Sequence, residues 1–226
     1  MSTALPDTLA ERLERVTLEV ADAARAAHRD PASITTIVVT KFHPASLVRE
    51  LAGLGVRNVG ENRHQDAGPK AAQLADLDLT WHFVGQLQSK KARQVVDYAR
   101  VIHSIDRLSL VHALDGASVD VFIQLNLTDD AGRGGVQPGE LELLAEAVLA
   151  TSTLRLRGVM AVAPLGEEPR AAFARVREAS DKLRGLAPHA NELSMGMSQD
   201  FREAIAEGAT HLRIGTAITG NRPTAG

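Results

Sequence analysis

Between Ile34 and Thr216 the chain alternates about eight times between short apolar or β-branched runs and stretches with helical spacing, and few folds accept that rhythm. Strands are expected over 34–41, 56–62, 80–85, 101–105, 119–126, 154–163, 192–195 and 211–216. Helices are expected over 46–54, 65–74, 89–98, 108–114, 140–149, 170–186 and 199–206. Connections this short between alternating units imply parallel strands. About eight units in roughly 200 residues suit a closed (β/α)8 TIM barrel better than an open doubly wound sheet, which is the alternative. An extra helix over 7–28, with Leu9, Leu13, Val16, Val20, Ala23, Ala24 and Ala27 at helical spacing after the start signal Pro6 and Asp7, precedes the first strand. No linker, low-complexity tract or repeat interrupts the chain. One domain is therefore expected over 1–226, with the leading helix in 1–30 and the barrel in 31–220.

Composition narrows the function. A hydrophobic content of 44% in 226 residues is enough for a sizeable core, and a formal charge of −3 gives no support to a nucleic-acid or anionic-membrane partner. The absence of cysteine removes disulfides, thiolate nucleophiles and cysteine metal sites, and is compatible with a reducing compartment. Residues Met1 to Ala27 are charged and amphipathic with no apolar signal core, and no later run approaches the roughly 20 apolar residues of a membrane span. A soluble cytoplasmic protein with no membrane or nucleic-acid partner and no metal is expected, acting as a monomer.

The candidate chemistry sits where strands end. In Thr35-Thr36-Ile37-Val38-Val39-Thr40-Lys41, alternation puts Thr35, Ile37, Val39 and Lys41 on one side, so a strand that reads as buried exits on a lysine, with Pro44 stopping it. A lysine at a strand end commonly just reaches water. After strand seven, Ser194-Met195-Gly196-Met197-Ser198 leads toward a helix whose free N–H groups favour an anion, and strand eight ends in Arg213-Ile214-Gly215-Thr216. Ser198 alone reads equally well as a helix cap, and Gly215 with Thr216 as a turn. If Leu212 and Ile214 pack against helices, Arg213 points into the barrel, where it needs a partner; Glu61 at the end of strand two is one candidate. A lysine, a phosphate cradle and an inward arginine at one mouth suggest a phosphorylated aldehyde held as a Schiff base, the apolar approach lowering the lysine pKa.

Six motifs in order carry a resemblance. Val39-Thr40-Lys41 with Pro44, Gly60-Glu61-Asn62, Trp81-His82-Phe83-Val84-Gly85-Gln86-Leu87-Gln88 with Lys90, the Gly134-Gly135 loop, Leu193 to Ser198, and Arg213 to Thr216 together resemble the YggS/PROSC family, the pyridoxal-phosphate homeostasis proteins. The resemblance implies a barrel like the N-terminal domain of alanine racemase, with pyridoxal 5′-phosphate held as an aldimine on Lys41. It implies that Ser198, Gly215 and Thr216, with the loop Ser194, Met195, Gly196 and Met197, hold the phosphate, that Arg213 faces the pyridine nitrogen and that Asn62 lines the ring pocket. An arginine at that nitrogen keeps it unprotonated and weakens the cofactor as an electron sink. The implied function is intracellular vitamin B6 homeostasis without strong turnover, with PLP-dependent apo-enzymes as recipients. Arg63, Ser89 and Phe42-His43 depart from the family pattern at the pocket rim.

An amino-acid racemase of the same barrel type and a Schiff-base aldolase are the alternatives. Such racemases supply a catalytic tyrosine from a further domain, whereas the only tyrosine here, Tyr98, falls in an expected helix. An aldolase needs a general acid or base beside Lys41, and the sequence singles out none. His82 and His103 read as core residues, and Ser89-Lys90-Lys91-Ala92-Arg93 as a solvated helix start.

Overall fold

The computed structural model describes residues 7–221. Its strands are β1 (Thr35–Val39), β2 (Asn58–Glu61), β3 (Thr80–Phe83), β4 (Ala99–Ile105), β5 (Val119–Gln124), β6 (Leu154–Met160), β7 (Glu192–Ser194) and β8 (His211–Ile214). Each pairs in parallel with the next, and β8 returns to β1 with Ile37 opposite Arg213, so the barrel closes. The helices are α1 (Leu9–Ala26), α2 (Ala45–Gly53), α3 (His64–Gln73), α4 (Ala92–Val96), α5 (Leu108–Leu114), α6 (Leu141–Ala150), α7 (Pro169–Leu186), α8 (Phe201–Ala206) and α9 (Thr216–Thr219). The (β/α)8 reading and the extra N-terminal helix are both borne out.

Strand alternation explains how both faces are buried. Val38, Phe83, Ile102, Val121, Leu212 and Ile214 join the large core under the helices, while Val101, Phe122 and Met160 form a separate apolar cluster. The β6–β7 seam is tight at Gly158, which has φ 155°: a Cβ there would lie 1.9 Å from the Glu192 carbonyl oxygen, so only glycine fits. Helix α1 starts at a capping box, with Thr8 and Glu11 satisfying each other's backbone N–H groups. It buries Leu9, Val16, Val20 and Ala24 and packs on α8 and α9, and Arg12 Nε donates to the Ile218 carbonyl at 2.7 Å. Pro6, part of the expected start signal, lies outside the described residues.

The differences from the sequence reading run mostly one way. β1, β3, β5, β6 and β8 stop at Val39, Phe83, Gln124, Met160 and Ile214, two or three residues short of expectation. Thr40, Leu125 and Ala161 are as buried as strand residues, and their N–H groups still donate to the Gly60, Met160 and Ser194 carbonyls of the neighbouring strands, so they read as strand although each lies just past its strand's last regular residue. The helix expected over 89–98 divides into a 3₁₀ turn at Ser89–Lys91 and α4. Tyr98 lies instead in the turn before β4, its ring edge-on to Trp81 at 6.3 Å and stacked with His64 at 6.0 Å.

Candidate functional site

Arg213 lies at the centre of the site. It is 5% exposed, and its NH1 donates to the Ser194 carbonyl (2.6 Å) and Oγ (2.7 Å), its NH2 to the Ala161 carbonyl (2.8 Å). None of these acceptors is a carboxylate. Burial draws its pKa down to about 10, an effect opposed by Asp200, so it is a buried cation at neutral pH. Glu61 is not its partner. Gly60 would present a Cβ to Ile37, Val39 and Val84, so Gly60 and Asn62 face the barrel interior and Glu61 faces the helices. There Glu61 pairs with Lys70 of α3 and accepts from Thr40 Oγ1 at 2.7 Å, while Lys70 Nζ also donates to the Thr40 carbonyl at 3.0 Å.

Beneath Arg213 the interior is polar. Ser194 Oγ lies 2.8 Å from His103 Nδ1, His103 Nε2 lies 2.9 Å from His82 Nδ1, and His82 Nε2 lies 3.0 Å from Asn58 Oδ1. The His103 ring stacks on Phe122 at 4.6 Å. Burial lowers the His82 pKa to about 3, that of His211 to about 4, and that of His103 well below the ordinary value, so all three are neutral at pH 7. The sequence reading placed His82 and His103 in the core, and both are buried.

The residues expected around a phosphate divide into two groups. Ser198 Oγ accepts from the Ala217 N–H at 3.4 Å, which ties the exit of β7 to the first turn of α9 and brings Ser198, Gly215 and Thr216 together. A Cβ on Gly215 would lie 3.6 Å from the Val39 carbonyl oxygen, so this corner adjoins the end of β1 that leads to Lys41. Ser194, Met195 and Gly196 serve differently. Ser194 is committed to Arg213 and His103; the Met195 side chain is fully buried in the core and its N–H donates to the His211 carbonyl. Gly196, at φ 93°, leaves no room for a Cβ, which would lie 2.6 Å from Ala204 Cβ, and its carbonyl accepts from Arg213 N at 2.9 Å. The helix after β7 offers less to an anion than its sequence promised: Asp200 stands at the start of α8 and accepts from the Met197 N–H.

Lys41 sits in the turn after β1 and is exposed, its Nζ 5.9 Å from the Phe42 ring centroid. A partly desolvated lysine was expected here, but Lys41 is exposed; the buried lysine is Lys70. Phe42 has φ 69°, a left-handed conformation that costs a non-glycine residue roughly 1 kcal/mol, so backbone strain is held beside the lysine. Asn62, half-buried at the end of β2, has a buried Oδ1 with no partner. Over the mouth, a Cβ on Gly134 would lie 3.0 Å from Gln86 Nε2, and the exposed Arg63 pairs with Asp66 at 3.7 Å. Among the described residues no cluster of His, Cys, Asp or Glu is placed to hold a metal, and no helix is long and apolar enough to cross a membrane.

Sequence reasoning named His82 and His103 as core and Ser194 as part of the phosphate loop, but missed Asn58 and the hydrogen bonds that join all four in one row. The signal was available: Asn58, His82, His211 and Arg213 share inward parity on β2, β3 and β8.

Residues 19–223 match the family model of the alanine racemase N-terminal domain. The pyridoxal phosphate homeostasis protein of Pseudomonas aeruginosa is 43% identical over 224 residues, covering 95% of this chain and 96% of that one; the Escherichia coli K12 protein of the same name is 39% identical over 227 residues, covering 95% and 97%. The structure of PipY from Synechococcus elongatus with PLP bound superposes with a TM-score of 0.80 at 38% identity, covering 94% of this chain and all of that one. Alanine racemase from Corynebacterium glutamicum shares the fold at a TM-score of 0.71 and 18% identity, this chain covering 63% of its length.

Proposed function

This chain belongs to the alanine racemase N-terminal-domain family and, within it, to the pyridoxal phosphate homeostasis proteins, and from that premise we propose that it binds pyridoxal 5′-phosphate at the barrel mouth and serves vitamin B6 homeostasis. The observation that carries this reading is Arg213: a buried guanidinium with no carboxylate partner among the described residues, held by carbonyls and a hydroxyl. A cation so placed has its position fixed and no carboxylate bonded to it, which suits an electron-rich acceptor arriving from the mouth.

The other residues fit the same group. Ser198, Gly215 and Thr216 gather a hydroxyl, a close-approach backbone and a second hydroxyl at one corner for a phosphate. Asn62 offers an unpartnered buried acceptor to a polar substituent of the ring. When bound, the cofactor supplies an aldehyde that a primary amine captures reversibly. Lys41 is the amine we assign, exposed at the exit of β1, while Lys70 is withheld by Glu61. Arg213 donates toward the pyridine nitrogen and, being cationic, keeps a proton off it.

This arrangement favours holding over turnover. Tyr98 packs outside the barrel against Trp81 and His64, so this chain brings no tyrosine of its own to the mouth as a racemase acid. Glu61, turned to Lys70, is not a base for Lys41 as an aldolase would require. We assign the protein as a single-domain, monomeric, cytoplasmic carrier that releases the cofactor to PLP-dependent apo-enzymes. Titrating wild type and Lys41→Ala with pyridoxal 5′-phosphate tests this reading: a visible absorption band that saturates in wild type and is missing from the variant is expected. Equal bands in both proteins would remove Lys41 from the site.

A further inference from the structure

The polar row under Arg213 has a direction. A guanidinium only donates, so Ser194 Oγ accepts from Arg213 NH1 and turns its own hydrogen elsewhere. The acceptor within 2.8 Å is an unprotonated His103 Nδ1, with the ring proton on Nε2, the direction that Asn58 Oδ1 at the far end of the row also calls for, since an amide oxygen only accepts. That proton points at His82 Nδ1, 2.9 Å away, and leaves the His82 proton on Nε2, facing Asn58 Oδ1 at 3.0 Å. Every member donates away from Arg213 and presents a lone pair toward it. Oriented dipoles of this kind solvate a buried cation without cancelling its charge, which a carboxylate would do. The lowered pKa values of both histidines agree with neutral rings.

We propose that His103 is a positioning residue for ligand binding: through the Ser194 hydroxyl it fixes which edge of the Arg213 guanidinium is left for a pyridine nitrogen at the mouth. The Nη1 edge of Arg213 is spent on Ser194, and Nη2 is shared with the Ala161 carbonyl; the Nε–H makes no hydrogen bond within the described residues. Releasing the Ser194 hydroxyl from His103 frees Ser194 to rotate and the guanidinium to tilt. His103 lies on β4, across the barrel from β8, and touches no ligand itself. This inference rests on the proposed binding of pyridoxal 5′-phosphate and adds what controls its ring subsite.

Amide variants separate the two nitrogens of His103. In His103→Asn the side-chain oxygen falls near the place of Nδ1 and still accepts from Ser194, while in His103→Gln the amide falls near Nε2 and serves only His82. The measured quantity is affinity for pyridoxal 5′-phosphate and for its 1-deaza analogue, which has no ring nitrogen. His103→Gln and His103→Phe are expected to bind pyridoxal 5′-phosphate about tenfold more weakly than wild type, and His103→Asn within about threefold, as one charge-assisted hydrogen bond requires. With the deaza analogue all four proteins are expected to agree within about threefold. Equal weakening for both ligands, or the opposite order with Asn the weakest, would reduce His103 to packing and overturn the proposal. Failure of wild type to bind either compound would instead overturn the binding reading beneath it. In the apo wild-type protein, nitrogen-15 NMR of the histidine rings gives a check that no variant can spoil: His103 protonated on Nε2 is required, and protonation on Nδ1 would exclude the row as described.

Discussion

Lys70 and Arg213 are both buried cations of one barrel, and the fold treats them in opposite ways. Lys70, on the helix side of β2, meets the Glu61 carboxylate and the Thr40 carbonyl. Arg213, on the inner side of β8, meets two carbonyls and a hydroxyl backed by neutral histidines. A charge paired inside the protein is complete and is structural; a charge solvated only by dipoles remains available to something that arrives. Strand parity in the sequence already turns Arg213 of β8 into the barrel, whereas Lys70 is identified as buried only when α3 packs against Glu61 of β2.

Acid is expected to break the inner region first. The fold holds His82 and His211 with pKa values of about 3 and about 4 against an ordinary 6.5, and depresses His103 as well. Between those values the unfolded chain binds the extra protons, so stability is fully present above pH 6.5 and falls as the pH drops toward 4. The slope is about 1.4 kcal/mol per pH unit for each histidine. Denaturant melts at stepped pH measure it, and a flat profile between pH 6.5 and 4 would show that these rings charge without penalty.

On the helix side the expected effect is smaller. Lys70→Met leaves Glu61 buried and unpaired, which costs about 3–5 kcal/mol of stability, and adding Glu61→Gln should recover most of it. Affinity for pyridoxal 5′-phosphate in the folded fraction should be unchanged. Arg213→Met is the mirror experiment: affinity falls about 100-fold, while apo stability changes by no more than about 2 kcal/mol because a buried charge with no bonded carboxylate leaves with its hydrogen bonds. If both variants lost stability and kept affinity, the contrast between the two cations would collapse. The smallest effect belongs to the exposed pair Arg49 and Asp76, at 2.7 Å, where Arg49→Ala should shift the denaturant midpoint least of all these variants, by an amount that added salt largely removes.

Much of the fold was legible because period and burial agree along most of the chain. The alternation around β1 to β8 and the apolar stripe of α1 are sufficient to give a barrel and a leading helix. Strand ends were overrun because Thr40 and Ala161 stay buried and keep a backbone hydrogen bond to the neighbouring strand just past the last regular strand residue, and composition reports burial. The corner of Ser198, Gly215 and Thr216 was legible as local motifs at the ends of β7 and β8. The separate duties of Ser194, Met195 and Gly196 were not, because consecutive residues of one motif point to opposite faces and only closure of the barrel assigns the faces. Nor was the partner of Glu61 legible, since Lys70 comes from a helix nine residues later, outside any strand pattern.

The most direct measurement is borohydride reduction of the protein saturated with pyridoxal 5′-phosphate, followed by peptide mapping of the lysines at 41, 70, 90, 91 and 182. The mouth geometry predicts a single reduced adduct on Lys41, with Lys70 untouched behind Glu61. An adduct on Lys70 or on the Lys90 and Lys91 pair, or none at all in a protein that keeps its fold, would contradict the site.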